Sequence, residues 1–160
     1  MRFLFVDRIT AFDAGRTIET VKNVSATKDV FTDHFPGYPI LPGALVVESF
    51  EQASQLLIGL SHDFTRVGRL AAVRRATFRR FVRPGDQVRI RCARTAEHAD
   101  GWTVSASAEV DGRRVASATL EFDVVAATAD EAKAHGERLR EMARVLRESP
   151  IDPAGQGGLS

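Results

Sequence analysis

The chain is poor in the features that would tie it to an oxidising, membrane or metal-dependent setting. One cysteine among 160 residues, Cys92, excludes an internal disulfide and fits a reducing compartment. It alternates with Val88 and Ile90 and reads as a core thiol. The apolar stretches are broken by charge well before the eighteen or so residues that would suggest a membrane span. MRFLFVDR at the N-terminus is too short to read as a signal peptide. A cytoplasmic protein without a membrane partner is therefore expected. His62, His98 and His135 lack ligand-like spacing to one another, so no metal site is expected. There is no internal repeat and no low-complexity domain.

The apolar content of 44% is ordinary for a globular domain, and the length is most simply one such domain. The net charge of +1 conceals an asymmetry. Residues 66–94 carry ten arginines against one acid, Asp86, while the remainder holds 12 basic and 20 acidic side chains. A basic segment of this kind can attract an acidic protein, a nucleic acid or a phosphorylated ligand by long-range steering. Its only aromatic residues are Phe78 and Phe81, which is no interleaved stacking set, and this counts against nucleic acid.

The second half reads as antiparallel sheet. Trp102, Val104, Ala106, Ala108 and Val110 alternate with polar residues, and after Asp111-Gly112 the alternation resumes through Ala116, Ala118, Leu120, Phe122 and Val124. Asp-Gly between alternating runs is a hairpin signal, and a second one at Asp100-Gly101 joins the strand of Val88, Ile90 and Cys92 to the Trp102 strand. The segment from about Leu70 to Val82 is expected to pair with this meander, and Arg16 to Asn23 supplies another strand.

One helix, from about Gly43 to Leu60, is apolar around most of its circumference and so reads as buried. The exception is a stripe of Glu48, Glu51, Gln52 and Gln55 at helical spacing. The spacing predicts a second, charged helix over 129–147, with an apolar stripe of Leu139, Met142, Ala143 and Leu146. The expected organisation is a globular domain over 1–127, the charged helix over 128–149, and a disordered tail over 150–160.

Chemistry points to His34–Glu48, HFPGYPILPGALVVE. Pro36, Pro39 and Pro42 stiffen the loop, Gly37 and Gly43 permit close approach, and Pro42 starts the helix. An imidazole held beside free backbone N–H groups suits removal of a proton and stabilisation of the resulting oxyanion.

His34-Phe35-Pro36-Gly37, Pro39, Pro42-Gly43 and Glu48 resemble the signature of the FabZ-type 3-hydroxyacyl-(acyl-carrier-protein) dehydratases. Asn23-Val24-Ser25, Phe78-Arg79-Arg80 and Pro84-Gly85-Asp86-Gln87 flank it in the right order. The resemblance implies an α+β hotdog fold, a central helix wrapped by a curved antiparallel sheet. It further implies a homodimer joined edge to edge, in some cases a trimer of dimers, with His34 of one subunit facing Glu48 of the other. By the same resemblance His34 is the base and Glu48 the acid, the Gly43 N–H holds the thioester oxygen, the Ile40 carbonyl fixes the imidazole, and Gln52 orients the acid. Phe35, Tyr38, Leu41 and Phe78 would line the acyl tunnel, and Arg74, Arg75, Arg79 and Arg80 would supply a docking surface for acyl carrier protein. No cofactor is implied. Departures are Asp33 for glycine, Tyr38 for a second histidine, Leu41 for methionine and Glu51 for a small residue. The alternatives are another hotdog acyl-thioester enzyme, either a thioesterase or a dehydratase that also isomerises, and a non-catalytic carrier-protein partner. Intact His34 and Glu48 count against the last.

Overall fold

The structure, a computed structural model, describes residues 6–25 and 40–148, with side chains described as far as Arg138. His34, Phe35, Tyr38 and Asp33 fall outside the described residues, as does the tail from 149 onward. The described elements in chain order are β1 (Arg8–Asp13), β2 (Thr17–Asn23), α1 (Gly43–Ser61), β3 (Arg66–Phe78), β4 (Gln87–His98), β5 (Gly101–Val110), β6 (Arg113–Ala126) and α2 (Ala129–Glu148).

The strands form one antiparallel sheet in the order β1-β2-β4-β5-β6-β3. The period-two patterns mark its inner face: Val88, Ile90 and Cys92 on β4, Trp102, Val104, Ala106 and Ala108 on β5, and Ala116, Ala118, Leu120, Phe122 and Val124 on β6 are all buried. α1 lies across this face and packs against β2, β3, β4, β5 and β6. Phe50, Ala53, Leu57 and Ile58 have no exposed surface, which is the basis of the helix's all-round apolar reading. Burial of the Phe50, Leu57 and Ile58 side chains contributes roughly 1.5–3 kcal/mol each.

The two Asp-Gly pairs behave differently. Asp111 and Gly112 both have positive φ, +51° and +76°, the backbone of a type I′ turn whose twist matches its flanking strands. Gly101 instead begins β5, opposite Asp123. A Cβ there would lie 2.6 Å from the Phe122 carbonyl oxygen, so glycine answers a close backbone approach rather than a turn.

β3 pairs with the meander as expected, through β6, but differs from expectation in its limits. It runs from Arg66 to Phe78 and, among the described residues, pairs with β6 alone, at the end of the sheet. Register shifts between Leu70 and Ala72 and between Arg74 and Thr77, with Arg75 at φ +53°, bend its second half into a bulged edge. β1, unread in the sequence, pairs with β2 and carries its own bulge between Ile9 and Ala11.

Candidate active site

Pro42 is the N-cap of α1, with no side chain capping the helix. The first-turn N–H groups, including that of Gly43, therefore supply donors at the positive end of the helix dipole. A cavity of about 690 Å³ opens there, and its walls are almost wholly apolar. It brings together Ile40, Leu41, Gly43 and Phe78 of the expected site, joined by Arg80 and by Phe81. Leu41 is buried and donates its backbone N–H to the Val82 carbonyl at 2.7 Å, which fixes the entry to the helix. Phe78 packs over Gly43: a Cβ on that glycine would sit 3.0 Å from the ring.

Glu48 and Gln52 are not among the residues around this cavity. They form a second patch, one turn apart on α1, where the Gln52 amide Nε2–H donates to Glu48 Oε1 at 3.2 Å. Gln55 repeats the pattern toward Glu51 at 3.4 Å and also donates to the Gly68 carbonyl at 3.4 Å. The stripe is partly exposed at Glu48, Glu51 and Gln55 but covered at Gln52. Gln52 is only 4% exposed, because the Arg138 guanidinium of α2 covers it and donates from Nη2 to Gln52 Oε1 at 3.2 Å.

The four expected docking arginines are exposed. Arg74 pairs with Glu121 at 2.9 Å, while Arg79 and Arg80 are held by their backbone N–H groups to the Val115 carbonyl at 2.8 and 3.3 Å. Val73, Phe78 and Phe81 are exposed on or beside the edge of β3 that is unpaired among the described residues, at 39%, 51% and 65%. The remaining described histidines have local roles. His62 Nδ1–H meets the Ile58 carbonyl at 2.8 Å at the end of α1, and His135 stacks on Phe64 at 5.4 Å. Cys92 is fully enclosed, and burial pushes its thiol up to about 12, partly offset by the Ser54 hydroxyl. Among the described residues no His, Cys, Asp and Glu cluster is arranged to hold a metal ion, and no helix is long and apolar enough to cross a membrane.

Sequence reasoning found the polar stripe but missed what covers it. Arg138 lies 86 residues from Gln52 in the chain, and the face of α2 that turns inward carries Glu131, His135 and Arg138. These polar residues at i, i+4 and i+7 resemble a solvated face.

Residues 1–119 match the model of the FabA-like domain, which gives the fold its class: an α+β hotdog. A 3-hydroxyacyl-[acyl-carrier-protein] dehydratase FabZ of Nitrosospira multiformis is 38% identical over 121 residues, covering 73% of this chain and 83% of that protein. The FabZ of Levilactobacillus brevis is 38% identical over 125 residues, covering 78% and 84%. The dehydratase heterocomplex ApeI:P of Xenorhabdus doucetiae superposes with a TM-score of 0.64 at 13% identity, over 80% of this chain and 86% of that one, which is a likeness of fold. With this identity over most of its length, the chain belongs to the FabZ family.

Proposed function

We propose that the protein converts 3-hydroxyacyl thioesters of acyl carrier protein to trans-2-enoyl thioesters, in fatty acid or related lipid and polyketide biosynthesis. The observation that carries this reading is the pairing of His34 and Glu48 at the family's spacing, with Pro36-Gly37 and Pro42-Gly43 between them, in a chain of the FabZ family. His34 removes the C2 proton. Glu48, from the other subunit of a dimer, gives a proton to the departing 3-hydroxyl, which leaves as water. The Gly43 N–H, at the uncapped start of α1, stabilises the thioester oxygen as enolate character develops. The Ile40 carbonyl accepts from the second imidazole nitrogen and fixes the tautomer. Leu41 and Phe78, with Phe35 and Tyr38 of the preceding loop, would line the acyl tunnel, and the apolar cavity of about 690 Å³ that Leu41 and Phe78 border supports this reading.

Two features of the fold support a two-subunit site. Glu48 lies apart from the cavity within one chain, and β3 offers an edge that is unpaired among the described residues, with exposed apolar side chains that a second β3 would cover. Arg79 and Arg80, exposed beside the cavity, would meet the acidic carrier protein that delivers its substrate on a phosphopantetheine arm.

The test is hydration of crotonyl thioester and dehydration of 3-hydroxybutyryl thioester on acyl carrier protein, and of longer chains. Turnover by wild type with near-complete loss in His34→Ala and Glu48→Gln is the expected result. Absence of turnover at every chain length from a folded dimer, or free thiol release in place of dehydration, would overturn it.

A further inference from the structure

The charged helix α2 lies beyond residue 119, where the match to the FabA-like domain ends, and the reaction proposed above gives it no part. Its docking is specific. Thr128 and Glu131 form a capping box: the Thr128 N–H donates to Glu131 Oε2 at 2.8 Å and the Glu131 N–H donates to Thr128 Oγ1 at 3.1 Å. Glu131 Oε1 also pairs with Arg69 of β3 at 2.9 Å. One turn later His135 stacks on Phe64, and two turns later Arg138 reaches the polar stripe of α1.

The contact at Arg138 fixes more than the position of the helix. A guanidinium has only donors, so the Gln52 amide must turn its oxygen toward Arg138. Its NH₂ group is thereby aimed at Glu48, whose Oε1 accepts at 3.2 Å. Oε1 can accept this bond whether Glu48 is ionised or neutral, because in the neutral acid the proton then resides on Oε2. Without the guanidinium the amide loses the donor that sets this orientation, and once turned over its oxygen would accept a hydrogen bond from the acid proton of Glu48.

We infer that Arg138 is a positioning residue for the acid Glu48, acting through Gln52. It ties one carboxyl oxygen and leaves the other to deliver the proton to the departing hydroxyl. The inference rests on the dehydratase reading, and specifically on Glu48 as the acid. Arg138 touches Gln52 rather than the cavity at the start of α1, so its loss should lower kcat and leave KM little changed.

The experiment compares the full-length protein with Arg138→Met, Gln52→Leu, the double variant, Arg138→Lys and Glu131→Gln on 3-hydroxyacyl thioesters of acyl carrier protein. Arg138→Met should lower kcat about tenfold, the scale of losing one hydrogen bond from a charged group, with KM within about twofold. Gln52→Leu should cost at least as much, and the double variant no more than Gln52→Leu alone. Arg138→Lys should recover part of the loss. Glu131→Gln weakens the docking of α2 but keeps the guanidinium, and should retain most of kcat. Unchanged kcat in Arg138→Met would overturn the inference, as would losses that multiply in the double variant, or a loss in Glu131→Gln equal to that in Arg138→Met. If those results come with an inactive Glu48→Gln, the dehydratase reading stands and only the role of Arg138 falls. An active Glu48→Gln would remove both.

Discussion

The two ends of the proposed site sit on one helix and are built in opposite ways. At the start of α1 the backbone is uncapped, the surroundings are apolar, and Phe78 and Phe81 stand half or more exposed around an open cavity. One turn along, Glu48 and Gln52 lie in a hydrogen-bonded array closed over by Arg138. In the function proposed above, the first region would receive an acyl chain or the edge of a second subunit. The second is assembled within the single chain before any partner is present. Preorganised donors cost nothing to reorganise at the moment of reaction, whereas an apolar wall gains by being covered.

Predictions test this contrast, beginning with the chemistry. His34→Ala and Glu48→Gln should each reduce turnover by about 10²–10⁴-fold, the range for a lost general acid or base, in an assay of enoyl thioester formation. Equal activity in either variant would remove the distinction between a prepared patch and a bare one. Phe50→Ala, on the core side of the same helix and without exposed surface, should cost about 3–5 kcal/mol in denaturant unfolding. Such a cost would show that both regions depend on one packed support.

Phe78→Asp attacks the open region alone. It should shift sedimentation toward monomer and lower turnover by at least about tenfold, as expected when a charge enters an apolar interface core. The melting temperature of the monomer should change little.

The smallest effect concerns the closed region. Thr128, first through its backbone N–H, and Arg69 hold the Glu131 carboxyl below its ordinary value of 4.5. A carboxyl depressed in the folded state stabilises that state fully above the ordinary value, and the benefit is lost as pH falls through the depressed value. The protection of amides over the first turns of α2, taken relative to their intrinsic exchange rates at each pH, should therefore fall below about pH 4.5 before that of the sheet does. Glu131→Gln should abolish that pH dependence. Simultaneous opening of α2 and the sheet would mean that α2 is no separate unit.

Legibility in the sequence followed how far each element depends on one-sided burial. The β5–β6 hairpin was readable because its apolar residues fall strictly on the inner face and Asp111-Gly112 has the turn backbone that its composition predicts. β1 was not, since bulging at Ile9 and Ala11 and exposure from Thr10 to Asp13 leave no period-two signal. Exposure and two register shifts blurred the limits of β3 in the same way. In the site, the spacing of Glu48, Glu51, Gln52 and Gln55 revealed a stripe. What covers it was hidden, because a polar residue anchored by tertiary contact has the same local pattern as one facing water.

Glu131 divides its two oxygens between the cap of α2 and the arginine of β3. The helix therefore cannot begin correctly without also being held at one rotational phase. Seven residues advance an α-helix by two turns less about 20°, so Arg138 stands almost in line with Glu131. The first turn and the guanidinium two turns away thus share one phase of the helix, while the contact with Gln52 is made by Arg138 itself.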